Sequence, residues 1–201
     1  MNHVGFEYLS ALSDTTDKDA VLQDLMTAFG RDVWNYAFFL TERFDIADDV
    51  FQDVFVKVYR NLYSYRGESS VKTWLLTITR NVVKDHWKSA WKRKVLLVAA
   101  VVRRETVPSP EKEVISRMDH GEIWKTVLDL PDKLREVLVL HAHHQLSMPE
   151  IADLLQLPLS TIKSRLHRAR QKVHLAMKNA DIEGLAGSRP GTTDPGGRNS
   201  R

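Results

Sequence analysis

Along most of the chain apolar residues recur at every third or fourth position, the spacing of one helix face. No segment alternates residue by residue as a half-buried strand would. The periodicity predicts helices from about Asp17 to Phe29, Asp32 to Thr41, Ala47 to Leu62 and Val71 to about Lys94. A second group is predicted from Glu111 to Leu130, Leu134 to His143, Pro149 to Leu155 and Thr161 to Met177. Tyr63 to Ser70, with Gly67, reads as a loop inside the first group. Arg103 to Pro110 carries two prolines and sets the boundary between the groups. The fold class is therefore all-α: two small helical domains joined by a linker, the C-terminal one containing a helix-turn-helix. Beyond about Asn179 the chain is rich in Gly, Pro, Ser, Thr and Arg, and a disordered tail is expected.

The helix-turn-helix is the most specific local pattern. Ser147-Met148-Pro149-Glu150 has the form of a helix start, with Ser147 as N-cap and Glu150 as its capping-box partner. Ile151, Leu154 and Leu155 supply a buried face, and Pro158 keeps the chain from running on as one helix. Ser160 is expected to cap the next helix. There Ile162, Leu166, Ala169, Val173 and Ala176 share one face. The opposite face holds Lys163, Ser164, His167, Arg168 and Gln171, flanked by Thr161, Arg165, Lys172 and Arg170. Residues near the start of a recognition helix reach base edges, and later cations hold phosphates. Thr161, Lys163, Ser164, His167 and Arg168 are thus candidate base readers, and Arg170 and Lys172 candidate phosphate contacts. Leu155 to Lys178 has six Lys/Arg, two His and no acid, whereas a merely solvated face mixes both signs.

A second basic segment differs in kind. From Trp74 to Lys94 tryptophans are interleaved with lysine and arginine. Thr77, Asn81, Lys84, Asp85, Lys88 and Lys92 form a polar stripe, and Leu76, Val83, Trp87 and Ala90 lie toward the core, with Trp87 expected to be buried. Before it comes Tyr63-Ser-Tyr-Arg-Gly-Glu-Ser-Ser, a polar loop able to stack on and hydrogen-bond a base turned out of its helix.

A third segment carries the opposite charge. Val50, Val54, Phe55, Val58 and Leu62 face inward on a helix whose outer face holds Asp49, Gln52 and Asp53. Asp48 and Asp49 read as first-turn acids favoured by the helix dipole. Gln52 and Asp53 need another reason, and an acidic patch on a DNA binder suits a protein partner bearing arginine or lysine. The formal net charge of +3 conceals this segregation. From Glu42 to Asp53 there are five acids and one arginine; from Arg80 to Lys94 six cations face Asp85 alone. The absence of cysteine excludes disulfides and thiolate-ligated metal. No signal peptide is visible, and the longest apolar run, Val95 to Val102, falls far short of the ~20 residues that span a bilayer.

These segments together resemble a bacterial RNA polymerase sigma factor of the sigma-70 family, in the small extracytoplasmic-function group. Ala47 to Phe55 is similar to that family's polymerase-binding helix. Tyr65 to Leu75, followed by Arg80, Asn81 and Asp85, is similar to its promoter-melting region, and Leu130-Pro131 through Arg170 to its second DNA-binding domain. The resemblance implies a leader over 1–21, region 2 over 22–94, a linker over 95–113, region 4 over 114–178 and the tail over 179–201. It implies that Asp49, Gln52 and Asp53 face the clamp helices of the polymerase largest subunit. Tyr65, Arg66, Ser69, Ser70, Lys72, Trp74, Asn81, Lys84, Asp85 and Lys88 would serve the minus-ten element. Ser160, Thr161, Lys163, Ser164, Arg165, His167, Arg168, Arg170 and Lys172 would serve the minus-35 element. An anti-sigma partner and a cytoplasmic location follow by the same analogy, with no catalytic residue, cofactor, metal or membrane insertion. Lys88 stands where the family often has arginine, so a bidentate contact there is lost.

Two features fall outside the resemblance. His141, His143 and His144 cluster before the turn; His141 and His144 are helix-spaced as metal ligands can be, but solvated or DNA-facing roles fit better. The run Val95 to Val102 is more apolar than a solvated linker and is expected to extend the preceding helix or meet a partner. Two other classes compete with the sigma reading. A one-component regulator would use the helix-turn-helix but leave the acidic helix and aromatic loop idle. A nuclease would need clustered carboxylates, and neither a P-loop nor HExxH is present.

Overall fold

In a computed structural model of the chain, the residues described are Leu9, 17–97 and 121–187, with side chains described as far as Ser89 and from Ile123 to Asn179. Every regular element among them is helical: α1 Lys18–Thr41, α2 Phe44–Arg60, a 3-10 turn Leu62–Ser64, α3 Val71–Leu97, α4 Gly121–Leu128, α5 Asp132–Ala142, α6 Met148–Leu155 and α7 Leu159–Gly187. The expected helix over 111–120, the Arg103 to Pro110 boundary, and residues 98–102 of the apolar run lie outside the described residues. Val95 to Leu97 of that run do extend α3.

The two helices expected on either side of Gly30 are one. A single interior glycine costs about 1 kcal/mol against alanine, which does not end a helix whose neighbouring turns are buried. Gly30 is itself buried against the Phe51 ring, which would lie 3.5 Å from an added Cβ. Asp17 caps α1 through its side chain, accepting from the amides of Asp19 and Ala20. The helix ends where Glu42 turns left-handed at φ 55°.

α1, α2 and α3 pack as a three-helix unit. Val50, Val54, Phe55, Val58 and Leu62 are buried in it as their spacing predicts, together with Leu25, Val33, Leu75 and Val82. α2 starts at Phe44, earlier than Ala47, so its first-turn acid is Asp45, paired with Arg43. Asp48 and Asp49 therefore lie a turn further in, where the dipole argument for them does not hold. Asp48 instead accepts from Trp34 Nε1 at 2.7 Å.

The helix-turn-helix follows its sequence signals closely at its first helix. Ser147 and Glu150 form the reciprocal capping box of α6, and Gln156 ends that helix in the left-handed region at φ 56°. Ile162, Leu166 and Ala169 of α7 are buried against α5 and α6, but Val173 is only half-buried and Ala176 is exposed. α7 outruns the small unit that it caps, so among the described residues its later turns have little opposite them. It continues to Gly187, past the expected tail start near Asn179. The first proline after Pro158 is Pro190, and the Gly- and Pro-rich composition begins only near the helix end.

The two units are not separate. Tyr36, Phe39 and Leu76 of the first lie in one apolar cluster with Val127, Leu138, Leu140 and Leu166 of the second. α1 packs on α5, and α3 on α6. The chain pattern did not anticipate this seam, because each helix already explained its apolar residues by packing within its own group.

Candidate nucleic-acid interfaces and partner face

The loop between the 3-10 turn and α3 builds a cavity of about 370 Å³, lined by Ser64, Tyr65, Arg66, Glu68, Ser69 and Trp74. Gly67 supplies the left-handed turn at φ 73° that folds the loop back. The Tyr65 hydroxyl donates to Ser69 O at 2.6 Å, and its ring packs 5.2 Å from that of Trp74. Tyr65 is only 9% exposed, so it forms the cavity's wall rather than a free stacking surface. Four of the expected minus-ten residues, Tyr65, Arg66, Ser69 and Trp74, thus meet around one opening. Ser70 and Lys72 do not line it. The Ser70 hydroxyl accepts from the Thr73 amide at 3.1 Å at the start of α3, and Lys72 pairs with Asp32 at 3.1 Å.

Along α3, Asn81, Lys84, Asp85 and Lys88 are exposed as the stripe predicts. Asp85 is engaged by Lys57 at 3.1 Å. Partial burial, then the neighbouring Arg80 charge, lowers the pKa of Lys84 from its usual value. Trp87 corrects the expectation: it is 45% exposed. The buried face of α3 ends at Val83 among the described side chains, and one turn further the helix has left the three-helix core. Lys92, Ala90 and Trp91 lie outside the described side chains.

On α2, Asp49, Gln52 and Asp53 are exposed together. Val56 and Tyr59, also exposed, continue the Gln52 side by helical spacing, giving the acidic face an apolar extension. That extension was missed because exposed apolar residues at helical spacing read as core. The Lys18 ammonium sits 4.1 Å from the Tyr63 ring centroid and 5.9 Å from that of Tyr59.

On α7, Ser160, Lys163, Ser164, His167, Arg168, Arg170 and Lys172 are exposed, and Thr161 and Arg165 are half-buried. The helix begins at Leu159, so Ser160 lies inside its first turn instead of capping it. Pro158 O holds the early amides, accepting from Thr161 at 2.9 Å and Ile162 at 3.2 Å. The Ser164 hydroxyl donates to Thr161 O at 3.0 Å.

The histidines are neither solvated nor turned toward the α7 basic face. His141 Nδ1 donates to Leu146 O at 3.0 Å, closing the end of α5. His143 Nε2 accepts from Asn35 Nδ2 at 3.1 Å, and His144 Nδ1 donates to Asp32 Oδ1 at 3.0 Å, both across the seam. Among the described residues no group of three or more His, Asp or Glu could hold a metal ion. Burial, then the nearby His144, lowers the His143 pKa to about 4. Burial also lowers that of His144, with Asp32 partly offsetting it.

The described residues thus present an exposed acidic face on α2, an aromatic-walled cavity, a polar stripe on α3 and a basic helix after a capped turn. The sigma-70 region 2 family model matches residues 25–93, and the sigma-70 region 4 model residues 120–173. The chain is 31% identical over 164 residues to the RNA polymerase sigma factor YlaC of Bacillus subtilis, covering 81% of this chain and 95% of that protein. It is 28% identical over 173 residues to the extracytoplasmic-function sigma factor SigW of the same organism, covering 81% and 91% respectively. Among solved structures, the sigma factor RpoE of Bartonella quintana, in complex with the anti-sigma factor NepR, shares the fold. Its TM-score is 0.60 at 24% identity, over 81% of this chain and 98% of that one. The chain belongs to the sigma-70 family, in the extracytoplasmic-function group, and is an RNA polymerase sigma factor. Among the described residues no helix is long and apolar enough to cross a membrane.

Proposed function

We propose that this sigma factor carries core polymerase to promoters by two DNA contacts of different kind. α7 reads the minus-35 element as duplex through Lys163, Ser164, His167 and Arg168. The Tyr65–Trp74 cavity captures a base displaced from the minus-ten element, with Asn81, Lys84, Asp85 and Lys88 along its upstream edge. Asp49, Gln52 and Asp53 meet the clamp helices of the largest polymerase subunit. The chain contributes binding energy and no chemistry, acts in the cytoplasm, and is a target for an anti-sigma protein, as RpoE is for NepR. The observation that carries this reading is the convergence of Arg66, Ser69 and Trp74 on one open cavity beside an exposed polar stripe, with a separate basic helix face on the same chain. A one-component regulator has no use for the cavity or the acidic face.

The minus-35 half is tested at Arg168, which is fully on the exposed face and makes none of the buried contacts of α7. Arg168→Ala should cost about 1–3 kcal/mol on the preferred duplex and relax preference at one base position. Competition binding on single-position duplex variants measures this. Equal weakening on every sequence would make Arg168 a phosphate contact.

A further inference from the structure

The base-reading end of α7 begins with a residue whose side chain can make no hydrogen bond. Leu159 is the first residue of the helix and is 38% exposed, although Ile162, three positions on, is fully buried. Spacing alone would place Leu159 in the buried stripe. It lies instead at the leading end, where α6 has already finished at Leu155 and only the turn intervenes. Beside it are Ser160, next in the chain, and Lys163, one turn on and on the same side, both exposed. Side chains of an α-helix lean toward its N-terminus, so Leu159 leans toward the tip that enters a major groove first.

A single exposed apolar residue is ordinary on a protein surface. The surroundings of this one narrow its partner. Among the described residues α7 has two other large exposed apolar side chains, Leu175 and Met177, and both lie beyond Arg168. Leu159 stands among the residues assigned to the minus-35 element. A protein partner covering it would also cover Ser160 and Lys163, and an ammonium taken from water without a counter-charge is costly. Duplex DNA meets both demands: its phosphates suit the cations of α7, and its major groove carries one apolar group, the C5-methyl of thymine. Against any other base edge a leucine strips water from a donor or an acceptor and returns no hydrogen bond.

We infer that Leu159 selects thymine in the minus-35 element by packing on its C5-methyl group. The inference rests on the minus-35 reading above and deepens it, adding an apolar reader to the polar ones. Lys163 is one turn further along α7, about 6 Å, which is roughly two base-pair steps of about 3.4 Å. The thymine therefore lies within about two base pairs of the pair that Lys163 touches. Cytosine at this place is rejected twice: it has no methyl, and its N4 amino group replaces the O4 acceptor.

The test begins with a preferred duplex selected by the full-length chain, free and bound to core polymerase. Each thymine of the upstream element, on either strand, is then replaced singly by deoxyuridine, which removes the methyl and nothing else. One replacement should weaken wild-type binding about fourfold, the value of one buried methyl group. Leu159→Ala should lose a similar factor on the thymine duplex and bind the thymine and deoxyuridine duplexes alike. Leu159→Met should keep most of the methyl dependence, and Leu159→Gln should lose it. Cytosine in place of the same thymine should cost more than deoxyuridine, and 5-methylcytosine should recover the share of the methyl. Helix content should be unchanged, because the side chain is exposed; should alanine lower it, the methionine and glutamine variants keep the side-chain length and decide the point.

Methyl dependence that persists in Leu159→Ala and Leu159→Gln would overturn the assignment, as would its absence at every thymine or an upstream element without thymine on either strand. Failure of the underlying reading looks different, because the wild-type chain would then bind every upstream duplex alike. A duplex preference that exists but is indifferent to Leu159→Ala leaves the minus-35 reading standing and removes the methyl contact alone.

Discussion

Trp74→Ala should cut open-complex formation on duplex promoters by roughly tenfold to a hundredfold, while leaving minus-35 binding unchanged. Trp74 is the only large aromatic with a partly exposed side chain on the cavity wall, since Tyr65 is buried behind it with its hydroxyl spent on Ser69. Extruding a base costs a few kcal/mol, and stacking it on an aromatic face returns about 1–3 kcal/mol. Losing that return weighs directly on the melting equilibrium. A template already unpaired across the minus-ten element does not require the unpairing step, so transcription from it should recover much of the loss. Potassium permanganate footprinting of the melted strand measures the first effect, and run-off from the bubble template the second. An equal deficit on both templates, with a lowered thermal unfolding midpoint, would assign Trp74 to packing of the loop against the first core.

Asp53→Arg should lower affinity for core polymerase roughly hundredfold and leave the chain's helix content and minus-35 duplex affinity as they were. Asp53 is exposed on α2, remote from the buried stripe of Val50, Val54 and Val58, so the substitution disturbs no core contact. Reversing one charge in a complementary interface places like charges together, which costs several kcal/mol. Asp48 is the internal control: it is on the same helix but holds Trp34 Nε1, so changing it should lower stability instead. Unchanged capture by core in a quantitative pull-down would move the partner face elsewhere on the chain, with Val56 and Tyr59 the next residues to change.

The helical class and the helix-turn-helix were legible in the sequence because their signals are local. A capping box, a proline in the turn and an apolar stripe at fixed spacing depend on neighbours within about two turns. The loop before α3 was legible for the same reason, through Gly67, but the contact of the Tyr65 and Trp74 rings that walls its cavity was not. What was misread depended on what lies opposite. Trp87 has the spacing of a core residue, but the core ends at Val83. Gly30 has the identity of a helix break, but Phe51 packs on it. Ser70 and Lys72, expected at the minus-ten element, meet the start of α3 and Asp32 in the free chain, partners that lie outside any local pattern. The histidines were the largest omission. Their partners Asn35 and Asp32 lie more than a hundred positions earlier in the chain, and no periodicity links residues across two domains.

The central claim is that this chain gives core polymerase its promoter choice. Run-off transcription with purified core polymerase over a promoter library, with and without the chain, tests it most directly. Transcripts that start at a shared two-element motif only when the chain is present are the predicted result. Absence of chain-dependent initiation on any template, together with sequence-specific binding of the free chain to duplex, would contradict it and leave a DNA-binding regulator in its place.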